Sequence, residues 1–223
     1  MPKLAIIGYG KMGRLIDQLA AEYGFTVTAR VDVDRKESLE GADVAVEFSV
    51  PGAVLGNIKK AAALGIPIVI GTTAWREHLA EAQALIQANR SALVWSPNFS
   101  VGVNVFTRLV SEAARLLANQ PEYGAWAWEI HHSTKKDAPS GTLLQLVDRM
   151  RAAGYGRDID ACSSRAGAHP GTHEIGFDSP ADTITLRHTA RSREGFARGA
   201  LKAAQWIIGR KGFYEFSEVL FGG

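Results

Sequence analysis

The feature that most limits the fold is a glycine-rich turn between a short apolar run and an amphipathic one, at the head of a regular alternation. Leu4–Ile7 reads as a strand, Gly8-Tyr9-Gly10-Lys11-Met12-Gly13 follows directly, and Met12–Tyr23 repeats apolar residues at three- and four-residue spacing. Further strand-like runs are Val27–Val31, Val44–Phe48, Pro67–Ile70 and Leu93–Trp95, with helix-like segments at Ala53–Leu64 and Trp75–Ala88. Gly24, Gly41 and Gly65 fall where helix ends or turns belong. Short strands alternating with longer helices predict right-handed β-α-β units on a parallel sheet.

From about Ser100 the pattern changes. A helix-like stretch, Val103–Leu117, leads to a strand at Ala125–His131, and a helix follows Ser140-Gly141-Thr142. Strand candidates stand near Thr172–Phe177 and Thr183–Thr189, then a helix at Phe196–Ile208 and a short aromatic tail. Strands that stop alternating with helices indicate an α+β region. The expected fold is α/β: a Rossmann-like nucleotide lobe over 1–99, an inserted α+β substrate domain over 100–195, and a C-terminal helix and tail over 196–223 that pack back on the first lobe.

Composition narrows the function class. The 223 residues carry a formal net charge of +2, too small a basic excess to point to a nucleic-acid partner. The single cysteine, Cys162, rules out an intrachain disulfide and fits a reducing compartment. Met1-Pro2-Lys3 runs straight into a strand, with no signal-peptide pattern, and no run approaches the roughly 18 apolar residues of a membrane helix. A cytoplasmic protein with no membrane partner is expected.

Each glycine of the G-x-G-x-x-G turn has a task. Gly8 allows the tight turn, Gly10 lets a pyrophosphate approach the backbone, and Gly13 lets helix and strand pack closely. The helix N-terminus then presents free N–H groups and a partial positive charge to the phosphates, with Tyr9, Lys11 and Met12 completing the loop. Asp32 ends the second strand, 19 positions after Gly13, where a carboxylate accepts hydrogen bonds from the adenosine ribose. It repels a 2′-phosphate and favours NADH; Arg30, Arg35 and Lys36 nearby could offset that repulsion and leave NADPH acceptable. Gly71-Thr72-Thr73 and Ser96-Pro97-Asn98-Phe99 each follow a strand, at the sheet edge where ligands of open α/β sheets sit, and are candidates for the nicotinamide half.

The second candidate site is Glu129–Thr142. Residues 125–132 alternate small and large side chains as a strand does, so His131 and His132 should project to opposite faces. They are poorly placed to share a metal, no third ligand stands at zinc-like spacing, and no metal is expected. Lys135 follows in a loop, and Asp137–Thr142 reads as a helix start. N–H groups at Gly141 and Thr142, with the Ser140 and Thr142 hydroxyls, would form a carboxylate pocket beside a lysine and a histidine able to titrate near neutral pH. This is equipment for holding an anion and moving a proton; a capped helix with solvated charges is the plainer alternative.

The segment E-I-H-H-S-T-K-K-D-A-P-S-G-T (129–142) resembles the signature of the 4-hydroxy-tetrahydrodipicolinate reductase (dihydrodipicolinate reductase) family of bacterial lysine and diaminopimelate synthesis. G-Y-G-K-M-G, E-F-S-V-P (47–51), G-T-T, S-P-N-F-S-V-G-V-N (96–104), P-G-T-H-E-I-G-F (170–177) and H-T-A-R-S-R-E-G-F-A-R-G-A (188–200) fall in that family's order, so the resemblance spans nearly the whole chain. It implies NAD(P)H-dependent reduction of a small cyclic dicarboxylate imine with loss of water. It also implies an acid/base role for His131, a proton-donating role for Lys135, and substrate binding by His132, Gly141 and Thr142. Residues 8–13, Asp32, Gly71–Thr73 and Ser96–Phe99 map to nucleotide contacts, and the inserted domain to a homotetramer interface, for which the Trp126/Trp128 strand offers an apolar face. Val33 stands where some members carry an arginine that meets NADPH, and Glu47-Phe48-Ser49 replaces D-F-T. The competing readings are another imine or amino-acid dehydrogenase on the same lobe, and a non-enzymatic nucleotide sensor.

Overall fold

The apolar runs of the first half become strands, and Val44–Glu47, Ile68–Ile70 and Ala92–Trp95 are buried at every position. In the computed structural model, which describes residues 1–222, the chain begins β1 (Lys3–Ile7), α1 (Lys11–Ala20), β2 (Thr26–Val31), β3 (Val44–Glu47), α2 (Val54–Ala63), β4 (Ile68–Ile70), α3 (Leu79–Ala88) and β5 (Ala92–Trp95). There follow α4 (Val101–Leu117), β6 (Gly124–His131), α5 (Gly141–Ala152), β7 (Ile159–Arg165), β8 (Thr172–Asp178) and β9 (Thr183–Thr189), then α6 (Glu194–Ile207), β10 (Gly212–Glu215) and α7 (Phe216–Phe221). Two compact units result: Met1–Val101 with the segment from Glu194 onward, and Gly102–Arg193.

The first unit is a six-stranded sheet in the order β10-β5-β4-β3-β1-β2, with every pairing parallel. Alternate residues of its strands enter separate cores. Leu4, Ile6, Val44, Val46, Val69 and Val94 pack with Ile16 of α1, Leu201 of α6 and Phe216, whereas Ala5, Ile7, Ala45, Ile68, Ile70 and Leu93 pack with Ile58 of α2 and Ile86 of α3. A strand buried on both sides must be apolar at every position, which is why these runs lack the polar alternation of a half-exposed sheet. The strand order reverses at β1/β3, placing the turn after β1 at the crevice where such sheets bind ligands.

The second unit is a mixed sheet, β7-β6-β8-β9, parallel between β6 and β7 and antiparallel elsewhere. Phe106, Val110 and Ala114 of α4 and Leu143, Leu146, Val147 and Met150 of α5 pack on its Ala127, Ile175 and Phe177. Trp126 and Trp128 point to the other face. The Trp126 ring lies across Gly176, and Trp128 Nε1 donates to Ser164 Oγ at 3.1 Å.

Four elements differ from the sequence reading. The helix expected from Trp75 begins at Leu79, because Ala74 has φ +60° and Trp75 turns inward, its Nε1 donating to the Thr72 carbonyl at 2.9 Å. β7 was not foreseen: Ile159–Arg165 is mostly polar, and its strand conformation comes from pairing along β6. Likewise the aromatic tail holds an edge strand, β10, paired to β5, and a last short helix.

α6 reaches this sheet at a point of very close approach. A Cβ at Gly199 would lie 1.7 Å from the Phe99 carbonyl oxygen and 3.3 Å from the Phe216 ring. Gly199→Ala should therefore destabilise the first unit by about 1–3 kcal/mol, the cost of forced overpacking; a denaturant midpoint unchanged from wild type would contradict this packing.

Candidate functional site

In the first unit the glycine turn has the geometry its spacing demands. Gly8 has φ +88°, and a Cβ there would meet the Phe48 carbonyl oxygen at 2.1 Å; a Cβ at Gly13 would meet the Gly8 carbonyl oxygen at 2.1 Å. Around Gly10 nothing stands within 4 Å of where a Cβ would be. Two glycines are thus required by the protein's own packing, and the third leaves room for a ligand at the N-terminus of α1. A cavity of about 440 Å³ opens there, lined by Gly10, Lys11, Met12, Phe48, Ser49, Gly71, Thr72 and Thr73. The amide of Ser49 donates to Thr72 Oγ1 at 2.7 Å, tying the loop after β3 to the loop after β4. The residues present fit a dinucleotide.

Asp32, the expected ribose partner, is engaged by the protein's own backbone. Its Oδ2 accepts from the Tyr9 amide and its Oδ1 from the Val33 amide, both at 2.8 Å, so it also braces the glycine turn. A second cavity of about 690 Å³ lies beside it, lined among others by Val33, Lys36, Leu39, Asn57 and Lys60. Arg30 is not available to a phosphate: its guanidinium grips Asp17 at 2.7 and 2.9 Å, and that hydrogen bonding raises its pKa further. Arg35 stacks over the Tyr9 ring at 4.9 Å, which leaves Lys36 as the expected basic neighbour that lines the Asp32 cavity.

Ser96–Phe99 does not line the cavity holding Gly10 and Thr72. Ser96 Oγ donates to the Asn98 carbonyl at 2.8 Å, and Phe99 is a core residue against Phe216, ring centroids 4.8 Å apart. Glu47 is a buried group that the sequence reading passed over. Its Oε1 accepts from the Ser49 amide and hydroxyl and from Asn57, while Oε2 has no partner, and burial pushes its pKa up.

In the second unit the segment 129–142 folds around one carboxylate. β6 ends at His131, with Ala127, Glu129 and His131 on the helix-covered face. Glu129 sits opposite His173 of β8 and Ser163 of β7, and it has no exposed surface. It accepts from the Ser140 amide (2.8 Å) and hydroxyl, from Ser163 Oγ (2.9 Å) and from Arg165 Nη2 (3.0 Å). Burial alone would raise its pKa, but these donors outweigh that and hold it below the usual carboxylate value. Ser140 is the N-cap of α5, its Oγ accepting from the Leu143 amide at 3.2 Å, so its hydroxyl is spent inside the protein rather than offered to a ligand.

His131 is buried beside this carboxylate, Nδ1 to Glu129 Oε2 3.4 Å, and His173 approaches the same oxygen at 3.3 Å. Burial lowers the His131 pKa; Lys135 and Arg165 lower it too, while Glu129 and Asp137 oppose. His132 lies just past the strand, half-buried, with Nδ1 2.8 Å from Thr134 Oγ1. Lys135 Nζ reaches both Asp137 oxygens, at 2.7 and 2.8 Å, and the Gly141 amide also stabilises that carboxylate. The Asp137 carboxylate thus lies between the lysine and the start of α5. Gly141 is exposed and Thr142 half-buried, and no atom stands within 4 Å of where a Gly141 Cβ would be.

Glu129, His131 and His173 are, among the described residues, a group whose atoms could converge on a metal ion, a set the spacing of His131 and His132 did not reveal. Here Glu129 already satisfies its charge with protein donors. The signal for Glu129 was present in the sequence, since two residues before His131 on a strand means the same face. His173 and Arg165 arrive from distant strands and carried no local signal.

Burial and the neighbouring His131 push the His173 pKa down to about 4. The unfolded chain takes up this proton below about pH 6.5 and the folded chain only near its depressed value. Its contribution to stability is thus complete above the unfolded pKa and lost as pH falls from about 6.5 toward about 4. Thermal midpoints should decline across that window in wild type and less steeply in His173→Gln; parallel curves would show that His173 is not buried neutral.

Comparison with known proteins places the chain. The profile described as dihydrodipicolinate reductase, N-terminus, matches residues 2–99, and that described as dihydrodipicolinate reductase, C-terminus, matches residues 102–220. The 4-hydroxy-tetrahydrodipicolinate reductase of Christiangramia forsetii is 34% identical over 231 residues, 97% of each chain. That of Methanosarcina mazei is 34% identical over 238 residues, 99% of this chain and 89% of the relative. In fold, the chain is similar to a dipicolinate-bound dihydrodipicolinate reductase from Paenisporosarcina sp. TG-14, with a TM-score of 0.84, 21% identity, and coverage of 98% of this chain and 99% of that one. Sequence and fold agree over the full length of both units, and the chain belongs to the dihydrodipicolinate reductase family.

Proposed function

We propose that this protein reduces 4-hydroxy-tetrahydrodipicolinate to tetrahydrodipicolinate, with loss of water and oxidation of NADH, in lysine and diaminopimelate synthesis. The observation that carries the reading is the carboxylate-holding arrangement of Lys135, the Gly141 amide and the start of α5 beside the buried His131. The relatives named for this reaction, and the dipicolinate in the Paenisporosarcina structure, support a cyclic dicarboxylate.

A nicotinamide dinucleotide, when bound, supplies the hydride. Gly8–Gly13 and Asp32 would hold its pyrophosphate and ribose, and Gly71–Thr73, on the same cavity as Gly10, would hold the nicotinamide side. Lys135, with three donor hydrogens and one carboxylate partner already engaged, draws a substrate carboxylate to the position Asp137 marks. The Gly141 and Thr142 amides at the helix start complete that anion site, and His132 lines it. Fixing the substrate there can supply about 7–11 kcal/mol of the barrier reduction through orientation alone. His131 handles the proton, and its depressed pKa keeps the ring neutral and able to accept one near neutral pH.

NADH is the assigned cofactor, with NADPH tolerated. Asp32 opposes a 2′-phosphate, Val33 is 92% exposed and offers no charge, and Arg30 is held by Asp17. The assembly is a cytoplasmic homotetramer built on the open face of the β7-β6-β8-β9 sheet; among the described residues no helix is long and apolar enough to cross a membrane. No nucleic acid takes part.

His131→Ala and Lys135→Ala should each lower kcat by about 100- to 10,000-fold, the range for a lost proton-transfer group, with NADH affinity unchanged. Near-normal turnover of the cyclic imine in both variants would defeat the assignment. In wild type, kcat/KM should be higher with NADH than with NADPH, and a strong reverse preference would remove the discriminating role given to Asp32.

A further inference from the structure

We propose that Glu129 is the positioning residue of this site: its buried carboxylate sets the ring orientation and tautomer of His131 and, through Ser140, holds the first turn of α5 in register with that ring. This rests on His131 being the proton-transfer group of the proposed reaction.

Three observations carry it. First, Glu129 and His131 share one face of β6, and Glu129 Oε2 lies 3.4 Å from His131 Nδ1, a buried nitrogen with no hydrogen-bond partner. An anionic oxygen at that distance repels a bare lone pair on Nδ1 and so favours a proton there, which leaves the lone pair on Nε2. Second, the ring is confined on its other side. Gly171 has φ +138°, and a Cβ there would come 2.9 Å from His131 Nε2 and 3.0 Å from Cδ2. The backbone at 171 adopts a conformation that favours glycine, and the ring lies against it, with His173 edge-on at 5.1 Å. Rotation of the imidazole is restricted, so the identity of the nitrogen facing Glu129 is a property of the fold. Third, the same carboxylate takes the Ser140 amide and hydroxyl, and Ser140 caps the helix whose first amides bind the substrate anion in the reading above. One side chain therefore links the proton-transfer group to the carboxylate pocket.

The surroundings keep this carboxylate charged. Ser163 and Arg165 donate to Glu129 Oε1 at 2.9 and 3.0 Å, leaving Oε2 for Ser140 and the two histidines. The groups facing His131 are Glu129 on its own strand, Arg165 from β7, His173 from β8, and Lys135 and Asp137 from the loop. Of these, Glu129 and Asp137 are anionic, and Glu129 Oε2 stands 3.4 Å from Nδ1.

The test is nitrogen NMR of wild-type protein labelled with [15N]histidine, with the His131 signals assigned by their loss in His131→Gln. Above its titration, His131 should be protonated on Nδ1 and bare on Nε2; the opposite tautomer overturns the proposal. Glu129→Gln, which keeps the shape and removes the charge, should move the His131 titration to lower pH and reduce kcat by about 100-fold, the lower end of the range for proton-transfer groups, with NADH affinity retained. Ser163→Ala, which removes one donor and leaves the charge, should keep the wild-type tautomer. A Glu129→Gln enzyme whose kcat falls while the tautomer and titration of His131 stay put would make Glu129 merely structural. Should that variant fail to fold, the wild-type tautomer still decides. The spectrum needs no turnover, so a protein that failed to reduce the cyclic imine would lose its proposed function without changing the tautomer result.

Discussion

A carboxylate with no exposed surface must find its solvation inside the protein, and at Glu129 that requirement organises the second unit. Four donors from two separate segments meet it: the Ser140 amide and hydroxyl at the start of α5, and Ser163 and Arg165 of β7. The strand pairings that bring them together are not optional, because removing one partner of a buried, hydrogen-bonded charge typically costs about 3–5 kcal/mol. The register of β6 against β7, Glu129 opposite Ser163 and His131 opposite Arg165, is therefore pinned by charge as well as by backbone pairing. The same carboxylate decides where α5 starts, since its N-cap is one of the donors.

The first unit is organised by exclusion of volume instead. Gly8 and Gly13 let the turn, the strand and α1 approach to distances that any side chain would forbid, and Gly199 does the same for α6 and the Phe99 segment. What remains open, around Gly10, is the space a phosphate needs. Asp32, at the end of β2, braces the turn through the Tyr9 amide and lines the neighbouring cavity.

The two units differ in how openly the sequence spoke of them. Doubly buried strands must be apolar and their helices amphipathic, so β1, β3, β4 and β5 and α1 to α3 were legible from periodicity, apart from the inward turn of Trp75 that delays α3. β2, at the sheet edge and only partly buried, was legible from its β-branched residues. β7 was hidden because a polar, partly exposed strand owes its conformation to a partner, and β10 because four half-buried residues in an aromatic tail have no period to read. His131, Lys135 and Ser140–Thr142 could be singled out as candidates because they lie in one local segment. Ser140 proved to be an internal cap, and Arg30, read as a possible phosphate partner, is bound to Asp17 across the α1–β2 pair, a contact 13 residues apart that spacing alone does not express.

The sequence by itself determined the glycine-rich turn after β1, the parallel α/β half and the candidate segment 129–142, because each depends on residues close in the chain acting through backbone geometry. Only the tertiary structure decided which histidine is enclosed, what holds its ring, and that Glu129, His173, Arg165 and Gly171 belong to the same site. The reason is physical: a buried charge is solvated by whichever donors the fold brings to it, and those donors come from strands that only sheet pairing makes neighbours.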